Sequence, residues 1–234
     1  MATFVLIHGA GSDSWYWRLV VPELRADGHD VVAVDLPCDD DRAGLSEYTD
    51  AVVDAIRDRT DLVIVAQSLA GFTAPMVCAR VPVDLLLLVA AMVPAPGESP
   101  GAWWENTGHE EARRAQAERE GWSPDEVDDP VHVFLHDLPS EVAAEASRRV
   151  REQSVTPMAK PWPLPAWPDV PTRFLLCRDD RFFPAEFQRR VVAERLGIVP
   201  DEMDGGHLPA LGRPQELADR LDAYRAEWES RASR

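Results

Sequence analysis

One segment carries most of the information about the fold: Val63-Ile64-Val65-Ala66-Gln67-Ser68-Leu69-Ala70-Gly71. A continuous β-branched run, typical of a strand covered on both faces, passes here into a run suited to a helix, with Ser68 at the junction. On so sharp a turn the serine hydroxyl is exposed, and the residues two before and two after it must be small. Ala66 and Ala70 meet that requirement. The segment predicts a nucleophilic Ser68, although a serine placed here can also simply cap the helix.

Similar apolar runs lie on both sides of this segment and alternate with amphipathic stretches. We predict strands at residues 3–7, 30–34, 61–66, 85–90, 172–177 and, more weakly, 199–203. Helices are predicted at residues 16–27, 46–59, 69–80, 184–196 and 214–228. Such alternation predicts an α/β fold with a mostly parallel sheet and helices on both faces.

A long insertion interrupts this alternation between the fourth and fifth predicted strands. It contains five of the eight tryptophans, helical signal at residues 110–120 and 141–152, and a proline-dense stretch at 157–171. Large aromatic side chains need a partner to pack against, which a disordered linker does not offer. We therefore predict a helical cap at residues 95–170, over the carboxyl-terminal edge of a core formed by residues 1–94 and 171–234.

A second signal follows the first strand. His8, Gly9 and Ala10 lie where the strand ends, at the edge at which open parallel sheets form their sites. The small residues allow backbone N–H groups to face a substrate oxygen. We expect the N–H groups of Ala10 and Leu69 to form an oxyanion hole, and His8 to orient the loop without taking part in the chemistry.

An acid and a histidine follow in the chain order expected for a triad on such a fold. Asp179 and Asp180 come directly after a late strand, and His207 lies in a glycine-rich loop after the next. His207 needs to reach Ser68 with one ring nitrogen and a carboxylate with the other. On the residues alone, either aspartate could be the acid, whereas Asp35 is expected to anchor the loop after the second strand.

Composition and charge exclude several classes of protein. The 234 residues carry 24 Lys and Arg against 41 Asp and Glu, a net charge of −17, and such a chain repels the phosphate backbone of nucleic acids. No apolar run approaches the roughly 20 residues that a membrane span needs. We expect a single folded unit that binds neither nucleic acid nor membrane.

The sequence also argues against secretion and against a metal site. The N-terminus passes straight into a strand-like run without a basic leader, and the three cysteines are widely spaced. His132 and His136 could bind a metal with Asp137, but no further ligand cluster accompanies them. We expect a cytoplasmic protein without a metal, and the sequence leaves a homodimer open.

The motifs together resemble the α/β-hydrolase superfamily, nearest the branch of plant small-molecule methylesterases and hydroxynitrile lyases. The resemblance rests on four segments: residues 8–10, 66–71, 180–188 and 206–211. It covers both predicted parts of the sheet, whereas the cap matches only in position and length. The resemblance implies a cofactor-free Ser68–His207–Asp180 triad, with Asp179 as the second candidate for the acid.

We therefore expect a serine hydrolase that cleaves a small hydrophobic carboxylic ester, thioester or lactone through an acyl-enzyme. Two aromatic pairs, Trp103 with Trp104 in the cap and Phe182 with Phe183 after the fifth strand, are expected to line an apolar substrate pocket.

Two alternative functions stay open. A hydroxynitrile-type carbon–carbon lyase is one, but that branch carries a threonine in place of Gly9 and a lysine in place of Leu208. Without that cation a cyanide leaving group lacks stabilisation. The other alternative is a ligand receptor or a cofactor-free enzyme acting on polyketide-like molecules, because the same fold serves many functions.

Overall fold

A six-stranded parallel sheet forms the centre of the computed structural model, which describes residues 1–232. Its strands are β1 (Thr3–Ile7), β2 (Asp30–Val34), β3 (Leu62–Gln67), β4 (Leu85–Val89), β5 (Thr172–Cys177) and β6 (Asp201–Met203). They lie side by side in the order β2-β1-β3-β4-β5-β6, and every neighbouring pair is parallel. The predicted α/β class with a parallel sheet is confirmed.

Helices connect the strands and cover the sheet. Outside the insertion they are α1 (Val20–Ala26), α2 (Leu45–Ile56), α3 (Ala70–Cys78), α10 (Ala185–Leu196), α11 (Pro209–Gly212) and α12 (Pro214–Ala232). The insertion contains α4 (Pro100–Asn106), α5 (His109–Glu120), α6 (Pro124–Asp128), α7 (Pro130–Phe134), α8 (Ser140–Arg149) and α9 (Thr156–Ala159). Among the described residues, no helix is both long and apolar enough to cross a membrane.

Each face of the sheet has its own hydrophobic core, because alternate side chains of a strand point to opposite faces. In β1, Val5 and Ile7 join the core beneath α2, α3 and α10, while Phe4 and Leu6 join the core beneath α1 and α12. All four side chains are fully buried. Burial on both faces explains why the strands read as continuous apolar runs.

Two helix starts differ from the predictions for local reasons. Residues 14–17 form a short 3-10 helix, capped by the Asp13 side chain, so α1 begins only at Val20. At α2 the helix begins at Leu45, and the Glu47 carboxylate accepts the N–H of Gly44 at 2.8 Å. Ser46 is therefore inside the helix and does not cap it.

The insertion between β4 and β5 is anchored directly in the core of the sheet. Trp103 and Trp162 belong to the same buried cluster as the side chains of β3 and β4. Their indole N–H groups donate to the carbonyl oxygens of Val93 and Phe72, both at 3.0 Å. The insertion therefore shares the core of the sheet, and its description as a separate cap subdomain stays a prediction.

Candidate active site

Ser68 occupies the turn between β3 and α3 in a left-handed backbone conformation, with φ +54°. This conformation is uncommon for a residue with a side chain and must be held by its surroundings. The Ser68 carbonyl accepts the N–H of Met92 at 2.9 Å and the N–H of Gly71 at 3.1 Å. The loop after β4 thus holds the serine in place.

The closest backbone approach at this turn falls at Gly71. A Cβ atom built on Gly71 would lie 1.9 Å from the carbonyl oxygen of Met92. Ala66 and Ala70, the positions where small residues were expected, are both buried. Glycine is thus required three residues after Ser68, where α3 passes against the loop after β4.

Gly71→Ala is expected to lower the free energy of unfolding by about 3 kcal/mol, which corresponds to a decrease in Tm of roughly 6–12 °C. The new methyl group would push α3 away from the loop after β4. Thermal unfolding of the purified variants measures the effect. Gly44→Ala is the matched control, since a Cβ there would lie 3.4 Å from the Glu47 carboxylate, near ordinary contact distance. Equal melting temperatures for both variants would contradict the prediction.

His207 lies between Ser68 and Asp180, in the loop that joins β6 to α11. Its Nε2 atom is 3.1 Å from Ser68 Oγ, and its Nδ1 atom is 2.8 Å from Asp180 Oδ2. His207 is 2% exposed and Asp180 is fully buried. Because a carboxylate only accepts, Nδ1 carries the proton and Nε2 is left to accept the Ser68 hydroxyl proton.

The two adjacent aspartates after β5 point to different partners. Besides contacting His207, Asp180 accepts the N–H groups of Phe182 and Phe183 with its Oδ1 atom, both at 2.8 Å. Asp179 instead accepts the N–H of Gly205 at 3.0 Å. Of the two aspartates considered from the sequence, the structure thus brings Asp180 to the histidine and sets Asp179 against the neighbouring loop.

The loop after β1 forms another part of the wall beside Ser68. His8 accepts the N–H of Leu36 with Nε2 at 3.1 Å and therefore donates from Nδ1 to the Gly9 carbonyl at 2.7 Å. Burial lowers the pKa of His8, so the neutral ring is favoured. His8 thus braces the loop, as expected, while the Asp35 carboxylate accepts the N–H of Ser14 at 2.6 Å.

Two backbone N–H groups without an acceptor in the described part of the chain belong to residues that line the space beside Ser68. Ala10 and Leu69 both line the cavity that contains the serine. Neither N–H has an acceptor within residues 1–232. Free N–H donors next to a serine hydroxyl are the arrangement that the stabilisation of an oxyanion requires.

A cavity of about 510 Å³ opens beside Ser68 and His207, and apolar side chains form most of its wall. Trp104 and Phe182 line it, but Trp103 and Phe183 do not. Adjacent residues on a helix diverge by about 100°, so with Trp103 turned into the core, Trp104 is left to face the cavity. The expectation that both aromatic pairs line the pocket is thus corrected to one member of each pair.

Phe183 lies behind the residues that line the cavity and contacts His207. It is fully buried and its ring contacts the His207 ring edge-on, with centroids 4.9 Å apart. Phe182 makes a similar contact at 5.0 Å. The side chain of Gln188 donates to the Phe183 carbonyl at 2.6 Å and so holds the turn that carries the pair. The two phenylalanines therefore fix the orientation of the imidazole.

The histidine pair considered as metal ligands is split by the end of α7 at Phe134. His132 lies 3.2 Å from an Arg181 nitrogen, while His136 lies against Gly206. Within the described part of the chain, no group of three or more His, Cys, Asp or Glu side chains is arranged to hold a metal ion.

One polar residue at the site was missed in the sequence. Gln67 is buried and donates from Nε2 to the His207 carbonyl at 3.0 Å. It also contacts the loop after β1, because a Cβ on Gly9 would lie 2.5 Å from Gln67 Oε1 and 2.8 Å from Ser68 Cβ. A polar residue directly after the apolar run of β3 was the available signal, since a buried amide needs a partner.

Comparison with known proteins identifies the family. Residues 4–220 match the Alpha/beta hydrolase family, so the chain belongs to it. Norfluorocurarine synthase 1 from a Strychnos species is 24% identical over 249 residues, and Methylesterase 3 from Arabidopsis thaliana is 26% identical over 254 residues, each alignment covering 93% of both chains. The crystal structure of polyneuridine aldehyde esterase matches with a TM-score of 0.78 at 20% identity, over 96% of this chain and 99% of that one.

These matches confirm the predicted membership of the superfamily and the likeness to plant methylesterases. The structural match confirms the fold.

Proposed function

We propose that the protein is a serine hydrolase that cleaves a small hydrophobic carboxylic ester, thioester or lactone through an acyl-enzyme. The observation that supports this most strongly is the pair of hydrogen bonds at His207, 3.1 Å to Ser68 Oγ and 2.8 Å to Asp180 Oδ2, beside an apolar cavity. Nucleophile, base and orienting acid are within the reach that such catalysis needs.

In the proposed reaction Ser68 Oγ attacks the carbonyl carbon of the substrate, and its proton passes to His207 Nε2. Asp180 stabilises the imidazolium that results. The N–H groups of Ala10 and Leu69 bind the negative charge on the former carbonyl oxygen. His207 then protonates the leaving alcohol or thiol, and the acyl group stays on Ser68 Oγ. In the second half, the same ring deprotonates a water molecule that attacks the acyl carbon. The bond to Ser68 Oγ breaks, the acid leaves, and His207 returns the proton to Ser68 Oγ.

The cavity supports the hydrophobic part of the proposal. Its volume of about 510 Å³ lies within the range of roughly 300–1,000 Å³ common for small-molecule sites. The insertion supplies much of the wall through Trp104, Phe134, Leu135 and Met158. Two of the similar proteins above are named as esterases, which agrees with ester cleavage.

A panel of substrates tests the proposal on the unmodified protein. We expect turnover of short-chain and aromatic p-nitrophenyl esters and covalent labelling by a fluorophosphonate, since both need an activated serine. Thioesters and lactones of similar size belong in the panel. Failure of every substrate together with absence of labelling would contradict the proposal and favour a ligand-binding role.

Mandelonitrile in the same panel separates hydrolysis from lyase chemistry. Leu208 lines the cavity and brings no positive charge to a departing cyanide, so we expect negligible cyanide release. Gly9 offers no room for a threonine, because its Cβ would lie 2.8 Å from that of Ser68. Cyanide release faster than hydrolysis of every ester would overturn the choice of hydrolase.

Trp104→Ala is expected to raise KM for an aromatic p-nitrophenyl ester about tenfold, because the variant loses about 1–2 kcal/mol of apolar contact with the substrate. The acetate ester has a smaller acyl group with less apolar surface to lose, so its KM should change less. Trp103→Phe is the matched control and should keep KM while lowering Tm, because its indole N–H donates to Val93 inside the core. The reverse pattern would assign the pocket wall to Trp103.

A further inference from the structure

We propose that Asp137, a residue of the insertion, is a positioning residue for His207. This inference rests on the proposed function, because it assigns Asp137 a role only if His207 acts on Ser68. Asp137 follows α7 in the insertion, and its Oδ2 atom accepts the N–H of Gly206 at 2.7 Å. Gly206 directly precedes His207, so the carboxylate holds the Gly205–Gly206 peptide group, one residue before the imidazole.

Three glycines make room for this carboxylate. A Cβ on Gly206 would lie 2.7 Å from Asp137 Oδ1, and a Cβ on Gly212 or Gly205 would lie 3.0 or 3.3 Å from Oδ2. Contacts this short leave no space for a side chain at Gly206. Because these glycines have no side chains, the Asp137 carboxylate can pack directly against the backbone of the loop that carries His207.

Asp137 is one of three residues whose side chains bind the backbone of the histidine loop. Asp179, two residues after β5, accepts the N–H of Gly205, and Gln67, at the end of β3, donates to the carbonyl of His207. Asp137 binds the peptide group between them. Residues at the carboxyl-terminal edge of the sheet thus supply two of these hydrogen bonds, and the insertion supplies the third. Asp137 therefore links the insertion, which forms part of the cavity wall, to the loop that carries His207.

The surroundings of Asp137 argue against a role in packing alone. Its Oδ1 atom is buried without a hydrogen-bond partner among residues 1–232, and so is the neighbouring His136 Nε2. Leaving a buried polar atom unpaired destabilises a fold. An apolar residue would avoid an unpaired oxygen here but would leave the N–H of Gly206 without its acceptor, so what the carboxylate adds is its hydrogen bond to Gly206.

Displacement of the Gly206 peptide would move the His207 ring away from Ser68. A shift of about 1 Å at a reacting group can cost around a hundredfold in rate. We therefore expect Asp137→Ala to lower kcat about 10- to 100-fold while KM changes less than about threefold. The rate of fluorophosphonate labelling should fall by the same factor, because labelling uses the same base and does not involve the cavity wall.

The test compares Asp137→Ala and Asp137→Asn with the unmodified protein. Asparagine keeps an oxygen that can accept the Gly206 N–H, so it should recover most of kcat. Asp125→Ala is the control: Asp125 is exposed on α6 in the same insertion and should behave as the parent. Rates are expressed per active site, counted by fluorophosphonate incorporation at completion, so that any unfolded fraction does not enter the comparison.

The outcomes separate this inference from the proposed function. A parent protein that neither hydrolyses esters nor labels would refute the proposed function and the inference with it. A parent that does both, with Asp137→Ala equal to it per active site, would refute the inference alone, even if Tm falls. A kcat loss in Asp137→Ala that Asp137→Asn restores, at constant KM, would support the positioning role.

Discussion

Ser68→Ala is expected to abolish fluorophosphonate labelling and to lower kcat/KM for p-nitrophenyl esters by about 10³- to 10⁶-fold, the range seen when a triad nucleophile is removed. The variant retains the cavity and the N–H groups of Ala10 and Leu69, so substrate binding should persist. KM should therefore change little while kcat falls. Mass spectrometry of the labelled protein and initial-rate kinetics measure the two effects.

The control for this variant is Ser46→Ala. Ser46 is exposed on α2, away from the cavity, and its substitution should leave labelling and turnover as in the parent. Labelling and hydrolysis by Ser68→Ala at parental rates would place the nucleophile elsewhere and would remove the basis of the proposed reaction.

The strands of the sheet could be predicted because a strand that is buried on both faces consists of consecutive apolar residues. β1 and β2 coincide with their predicted ranges, and β6 is shorter than predicted, beginning at Asp201. The triad candidates could be predicted because the carboxyl ends of parallel strands meet at one edge of the sheet. That rule brings Ser68, Asp180 and His207 together from distant parts of the chain.

The remaining features depend on contacts that no local pattern reveals. Which of Trp103 and Trp104 enters the core depends on the rotation of α4, and a seven-residue helix carries too little periodicity to show it. The hydrogen bond from Gln67 to the His207 loop spans 140 residues, and that from Gly206 to Asp137 spans 69. Gly205 and Gly206 precede His207 in the sequence, but the side chain that approaches them is visible only in the structure.

Asp180→Asn is expected to lower kcat about 10⁴-fold with the fold intact, whereas Asp179→Asn should change it less than about threefold. In the Asp180→Asn variant the amide oxygen would remain with the N–H groups of Phe182 and Phe183, leaving the NH₂ group to face His207 Nδ1. A donor there makes Nδ1 the acceptor and moves the ring proton to Nε2, which then cannot accept the proton of Ser68.

Asp179→Asn lacks this consequence, because an amide oxygen can still accept the N–H of Gly205 and no ring nitrogen is involved. Initial rates on a p-nitrophenyl ester and the rate of fluorophosphonate labelling measure both variants, with circular dichroism and Tm to establish that each is folded. Since both substitutions remove one negative charge from adjacent positions, a general electrostatic effect would lower the two rates to a similar extent. A large loss confined to Asp180→Asn therefore reports the proton position on His207, and the opposite ranking would transfer the role of the acid to Asp179.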